Sequence, residues 1–223
     1  MEKQMGSLYQ AAIFDMDGTI LDTLEDLWSA VNAALSENSL PGRSLEEVRG
    51  FVGNGLYKLV ERAVPSGTSD EVKARVFKSF NDYYALHSSE KTKPYPGIVH
   101  MLESLKKNGV KIAVCSNKPD YAVQELCRIH FPGLFDAAAG AKDREHVKPC
   151  PDVVNGILEE LGVSKEKAVY IGDSEVDIQT ARNAGTACIS VCWGFKTRTF
   201  LQENGAERIV NSAAELEEAI LGK

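Results

Sequence analysis

Positive charge is the minority sign in this 223-residue sequence: 25 lysines and arginines stand against 32 aspartates and glutamates, for a formal net charge of −7. That balance excludes a general nucleic-acid or anionic-membrane surface as the expectation. It leaves room for a small anionic molecule, because a local site can oppose the global sign. Long apolar runs are also missing. No stretch is long enough to span a bilayer, and the N-terminal residues lack the continuous apolar segment of a signal peptide. Cysteine is sparse: the five are Cys115, Cys127, Cys150, Cys188 and Cys192, with no CxxC pair. Cys188 and Cys192 have loose zinc-ligand spacing, but no second ligand cluster follows them. A reduced, cytoplasmic setting is the expectation. The four histidines, His87, His100, His130 and His146, are scattered without metal-ligand spacing. Repeats and low-complexity tracts are absent too.

What is present is an ordinary globular composition, 43% apolar and 26% charged, in a chain long enough for a core domain plus a smaller insert. Four short apolar runs, "AAIF" (11–14), "KIAVC" (111–115), "AVYIG" (168–172) and "ACISV" (187–191), suit strands buried on both faces. A weaker candidate covers 135–139. Helical patterns over 97–108, 121–130, 152–161 and 175–183 separate the later runs, and Gly109 and Gly185 stand where helix C-termini often have glycine. The alternation predicts an α/β fold: a doubly wound parallel-sheet (Rossmann-like) core with right-handed crossovers. Residues 24–91 break that rhythm, with helical patterns and no convincing strand, and "KTKPYPG" (91–97) reads as a return hinge. The expected domains are a core of 1–20 and 95–223 and an inserted helical-bundle cap of 21–94 that includes the hinge segments. Trp28 and the helically spaced Phe77, Phe80 and Tyr84 read as cap packing.

Polar residues recur just after the strands. Asp15 and Asp17 follow the first, Ser116 and Asn117 the second, Asp173 and Ser174 the run at 168–172. In an open parallel sheet, ligands bind outside the carboxyl ends of the strands. Topology alone therefore gathers these groups, and Lys148, in a loop after the weak candidate strand, adds a positive charge to the same edge. Any one of them alone reads as a turn, a helix cap or a solvated lysine. Together, three carboxylates and a lysine suit a divalent cation and a phosphate. Magnesium needs only one or two carboxylates with phosphate and water, and its charge would offset the repulsion between neighbouring aspartates. One aspartate can then act as a nucleophile while the other moves a proton.

"DMDGTILDT", "SNKP", "VKPCP" and "GDSEVD", in that order, resemble the signatures of the haloacid dehalogenase-like phosphatases over nearly the whole chain. The resemblance implies a magnesium-dependent phosphoric monoester hydrolase working through an aspartyl-phosphate. It makes Asp15 the nucleophile and Asp17 the acid–base group. The metal would be held by Asp15, Asp173 and the Asp17 backbone carbonyl. Gly18, Thr19, Ser116 and Asn117 would form the phosphate-binding set. Lys148 would pair with nucleophile and phosphate, and Asp177 would act through water or by supporting a ligand.

Substrate choice falls to the cap. In "FVGNGLYKL", Gly53, Asn54 and Gly55 precede a helix, where backbone amides can approach an anion; a tight helix–helix turn is the alternative. This loop, "SNKP" and "WGF" (193–195) resemble the phosphoglycolate phosphatases, although Cys150 stands where those proteins often have histidine. The expected substrate is a small phosphorylated metabolite, 2-phosphoglycolate first. The alternatives are pyrophosphate hydrolysis and a β-phosphoglucomutase-like phosphoryl transfer. The intact Asp15–Asp17 pair disfavours a haloalkanoate dehalogenase and a phosphonate hydrolase using Lys58. A phosphate-binding regulator without turnover fits a complete catalytic set poorly. The sequence sets no oligomeric state.

Overall fold

A strand covered on both faces must be apolar throughout, and the residues at 11–14 and 168–172 are buried without exception. The computed structural model describes residues 7–143 and 145–222. In chain order the elements are β1 (Ala11–Phe14), β2 (Leu21–Asp22), α1 (Leu24–Glu37), α2 (Leu45–Phe51), α3 (Leu56–Ala63), α4 (Asp70–His87), β3 (Lys93–Pro94), α5 (Ile98–Lys107), β4 (Lys111–Pro119), α6 (Asp120–His130), β5 (Ala137–Ala141), α7 (Asp152–Leu161), β6 (Ala168–Gly172), α8 (Glu175–Ala184), β7 (Ala187–Val191), α9 (Arg198–Glu203), β8 (Ile209–Val210) and α10 (Ala213–Leu221).

Six strands form one parallel sheet in the order β5-β4-β1-β6-β7-β8. The chain winds outward from β1 on one side through β4 and β5, and on the other through β6, β7 and β8. The switch in winding direction lies beside β1, which places a crevice at its carboxyl end. Alternate strand residues serve opposite layers. Phe14, Val114 and Ile171 pack with Met101 and Leu105 of α5 and Leu216 and Ile220 of α10. Ile13, Ala113 and Tyr170 pack with Val154 and Ile157 of α7 and Ala181 of α8.

α1 to α4 form the cap around their own cluster, which includes Leu27, Leu35, Leu59, Val76 and Phe80. Each fully buried Leu, Val or Phe side chain contributes about 1.5–3 kcal/mol, and Phe195 of the core joins the same cluster. Ser44 and Ser69 cap α2 and α4 by accepting from Glu47 N and Val72 N. Core and cap are joined by two limbs. β2 pairs antiparallel with β3, Leu21 opposite Pro94 and Asp22 opposite Lys93. Beside them the buried Asp26 carboxylate accepts from the Lys91 and Thr92 amides and from Thr92 Oγ1.

Several elements differ from the sequence expectation. β4 extends to Pro119, so Ser116, Asn117 and Lys118 are its end rather than a loop after it. The weak candidate at 135–139 is realised two residues later, as β5. β8, α9 and α10 were not anticipated; a two-residue strand such as β8 shows no hydrophobic period.

Candidate active site

Asp15 is the first residue past β1, and its amide continues the sheet by donating to the Ile171 carbonyl at 2.8 Å. The turn that follows carries Asp17 and closes with Gly18 N donating to Leu21 O at 2.9 Å. Gly18 has φ +81°, and a Cβ there would overlap the Asp173 carboxylate. Glycine is therefore required both for the turn and for the approach of Asp173. Asp173 follows β6. Its Oδ2 accepts from the Phe195 amide at 2.6 Å, across a loop where a Cβ on Gly194 would strike the same side chain. Asp177 is the third residue of α8 and forms a capping box with Ser174: Oδ2 accepts from Ser174 N at 3.1 Å and Ser174 Oγ at 2.6 Å.

Asn117 brings in Lys148. Its side chain accepts from Lys148 N at 2.7 Å and donates to Lys148 O at 3.1 Å, a two-point clamp on the loop before α7. The Lys148 ammonium then lies 2.8 Å from both Asp15 Oδ1 and Asp177 Oδ1. Burial works against its charged form, but Asp15 and Asp177 outweigh that and hold it well above the ordinary lysine range.

Asp15, Asp173 and Asp177 offer carboxylate oxygens within 4.8 Å of one another, all buried. One lysine does not balance three carboxylates. Burial, reinforced by Asp177 and Asp17 and only partly opposed by Lys148, pushes Asp15 up to about 7. Burial, then Asp177 and Asp15, lift Asp173 well above the usual carboxylate range. A hard divalent cation between Asp15 and Asp173 removes this imbalance, and an all-oxygen donor set fits one. The residues present thus fit a metal.

Asp15, Asp17, Ser116, Asn117, Lys148 and Asp173 line one pocket from the core side. Gly53 and Gly55 line it from the cap with Leu27, Val52, Leu56 and Leu59. The remaining open space is about 30 Å³.

Some expected residues are placed elsewhere. Thr19 lies outside the pocket lining, fully buried, with Oγ1 unpartnered and its carbonyl accepting from Trp193 Nε1. Gly18 supports Asp173 rather than lining the pocket. Both shape the turn beneath the site. Asn54 turns away from the catalytic pocket, and its Oδ1 accepts from Arg62 at 2.7 Å. His146 is an exposed loop residue beside Asp143.

Sequence reasoning passed over Lys118, Tyr84 and Thr23. Lys118 is 1% exposed, lies 3.1 Å from Asp17 Oδ1 and donates to Tyr84 Oη at 2.6 Å. Burial disfavours its charge, but Asp17 and Tyr84 more than compensate and raise its affinity for the proton. Thr23 Oγ1 donates to the same Asp17 oxygen at 2.6 Å. The signal for Lys118 was strand alternation: residues two apart share a face, so Ser116 predicts its neighbour. Tyr84 does pack in the cap, as its helical spacing implied, but its hydroxyl also reaches the core. The anchoring of Asp173 by Phe195 had only the glycine of "WGF" after β7 as a signal.

With this geometry in hand, the chain's relatives are informative. The haloacid dehalogenase-like hydrolase family model matches residues 12–191. A phosphoglycolate phosphatase of Pseudomonas savastanoi pv. phaseolicola is 35% identical over 208 residues, 90% of this chain and 76% of that protein. One from Aquifex aeolicus is 33% identical over 184 residues, 82% and 84% respectively. Among solved structures, a candidate phosphoglycolate phosphatase from Lactobacillus delbrueckii subsp. bulgaricus is 43% identical with a TM-score of 0.92, covering 96% of this chain and 99% of that one. CbbY from Rhodobacter sphaeroides, solved with phosphate, is 28% identical with a TM-score of 0.77, covering 96% and 100%. The fold, the order of its signatures and these likenesses agree: the chain belongs to the haloacid dehalogenase-like hydrolase family.

Proposed function

We propose that this protein is a magnesium-dependent phosphatase that hydrolyses 2-phosphoglycolate in the cytoplasm through a phosphoryl group carried on Asp15. The observation that carries the reading is the pair of aspartates from one turn, Asp15 against Lys148 and Asp17 against Lys118, facing one small pocket.

The chemistry follows from the placement. Asp15 attacks phosphorus, and the bond from phosphorus to the substrate's alcohol oxygen breaks. Asp17 gives its proton to that oxygen. Asp17, now ionised, takes a proton from water as the water attacks the phosphoryl group. The bond between phosphorus and Asp15 breaks, and inorganic phosphate leaves. Lys148 neutralises charge on Asp15 and the phosphoryl oxygens. Ser116 Oγ and the Asn117 amide orient those oxygens while the Asn117 side chain keeps Lys148 in place. Asp15, Asp173 and the Asp17 carbonyl would hold magnesium, which supplies charge neutralisation between nucleophile and phosphate. The apolar cap wall excludes water that would otherwise compete.

Two observations support a small acid as substrate. Lys196 lines the pocket at the cap seam, its ammonium donating to the Gly50 carbonyl at 3.2 Å and lacking a carboxylate partner among the described residues. The relatives above bear the name phosphoglycolate phosphatase. Among the described residues, no helix is long and apolar enough to cross a membrane. A phosphate-release screen including 2-phosphoglycolate, pyrophosphate and glucose 1-phosphate tests the reading. The highest kcat/KM belongs to 2-phosphoglycolate. Preference for pyrophosphate, or a sugar product that keeps the phosphoryl group, contradicts it.

A further inference from the structure

Lys118 is a fully charged side chain shut away from water, and a buried ammonium persists only with partners. It has three. Asp17 Oδ1 lies at 3.1 Å, Tyr84 Oη accepts its hydrogen bond at 2.6 Å, and the Tyr84 ring centroid is 4.7 Å from the ammonium. Its own amide donates to Ser116 Oγ at 3.2 Å, so the strand end that presents Ser116 also aims Lys118. Burial, only partly opposed by Lys118, pushes the Tyr84 hydroxyl up to about 12, which keeps it a neutral partner rather than a second base.

The contacts on Asp17 are one-sided. Thr23 Oγ1 and Lys118 both engage Oδ1, and neither engages Oδ2. One oxygen is held while the other is left for the pocket that Asp17 lines. One hold, Thr23, belongs to the hinge; the other, Lys118, belongs to β4 and is braced from the cap by Tyr84. Thr23 lies between β2 and α1, on the outgoing limb. Tyr84 lies near the end of α4, on the return limb, completely buried and stacked on Phe80 at 5.4 Å.

We propose that Lys118 and Tyr84 are positioning residues that hold Asp17 for proton transfer, linking the cap's return helix to the acid–base group of the core. The inference rests on the acid–base role of Asp17 in the proposed function, and its test separates the two. Proton transfer to the leaving oxygen matters for an alkyl phosphate and far less for p-nitrophenyl phosphate, whose phenolate leaves readily. Loss of correct positioning is therefore selective for the alkyl ester and falls on kcat rather than KM. A merely structural role lowers both substrates alike.

The experiment measures kcat and KM for Asp17→Asn, Lys118→Met, Tyr84→Phe and the Asp17→Asn/Tyr84→Phe double variant. The substrates are p-nitrophenyl phosphate and 2-phosphoglycolate, or whichever alkyl ester turns over fastest. Asp17→Asn loses about 10²- to 10⁴-fold on the alkyl ester and less on the aryl ester. Lys118→Met shows the same selective pattern. Tyr84→Phe keeps the ring and its stacking, so it remains informative should Lys118→Met misfold. It loses about tenfold on the alkyl ester, the effect of one hydrogen bond. In the Asp17→Asn background Tyr84→Phe costs nothing further, because the group it positions is gone. Equal losses on both substrates for Tyr84→Phe, or a loss additive with Asp17→Asn, overturn the inference while a selective Asp17→Asn leaves the proposed function standing. A non-selective Asp17→Asn overturns both.

Discussion

On the core side of the pocket stand three buried carboxylates, Asp15, Asp173 and Asp177, and two buried lysines, Lys118 and Lys148. On the cap side stand Leu27, Val52, Leu56 and Leu59 and the backbones of Gly53 and Gly55. One wall is built from charges that must be paired at fixed distances. The other is built from shape. Removing a member of the first leaves a partner stranded in low dielectric, where an unpaired charge is costly. Altering the second changes how closely the wall approaches its contents. Chemistry on the core side should therefore fail abruptly under substitution, while selection on the cap side should shift by degrees.

Lys148 is where that contrast breaks most sharply. Lys148→Met strands Asp15 and Asp177 together, and breaking such a buried pairing costs about 3–5 kcal/mol. Turnover falls by about 10²- to 10³-fold or more, and the melting temperature falls in chelator. Magnesium restores part of the stability, and almost none of the rate. Steady-state kinetics and thermal denaturation with and without the ion check this; a variant with near-normal kcat would erase the distinction between the walls.

Metal removal comes next. EDTA abolishes turnover and magnesium restores it, whereas calcium, with its larger and more flexible shell, inhibits. Magnesium at one hundred times its Kd adds about 2.7 kcal/mol of stability. Full activity after rigorous chelation would remove the ion from the reaction.

A pH effect follows from the same charge imbalance. Without metal, Asp15 is raised from its ordinary value of 3.8 to about 7. Between those values the native state holds a proton that the unfolded chain has released. Stability from this group is thus present at low pH and is lost as pH rises through about 7. Urea midpoints of the metal-free protein therefore fall from pH 5 to pH 8. The fall is smaller in Asp15→Asn and in saturating magnesium. An unchanged slope in both would place the burden elsewhere.

The smallest effects belong to the cap loop. Gly55 has φ +84°, and an added Cβ would sit 3.2 Å from the Asn117 carbonyl. Gly55→Ala shifts KM and the ratio of kcat/KM between substrates several-fold, with the core fold intact. Asn54→Ala removes one surface hydrogen bond from Arg62, which keeps its bond to the Phe51 carbonyl, so stability changes by about 0.5 kcal/mol or less and specificity stays put. If Asn54→Ala alters specificity as strongly as Gly55→Ala, the loop acts through side chains rather than backbone.

These differences also explain what could be read from the sequence. The parallel sheet was visible because β1, β4, β6 and β7 are apolar runs, and because polar residues stand at the ends of β1, β4 and β6. Asp15, Asp173 and Lys148 followed from strand order alone. Alternation from Ser116 points to Lys118, but its pairing with Tyr84 is a contact between residues 34 positions apart that no periodicity encodes. The short strands β2, β3 and β8 are fixed by tertiary pairing rather than local preference. Asn54 was misplaced for a related reason: three successive loop residues cannot all face one pocket, and sequence does not say which side chain turns away.

The central claim is that Asp15 carries the phosphoryl group. Rapid quench of the enzyme turning over 32P-labelled 2-phosphoglycolate, followed by borohydride trapping and peptide mass spectrometry, tests it directly. The account predicts modification at Asp15 alone, absent in Asp15→Asn together with turnover. Asp17→Asn accumulates the modified form, because water attack needs the base. A reduced side chain at any other residue, or an Asp15→Asn variant that releases phosphate at a near-normal rate, contradicts the account.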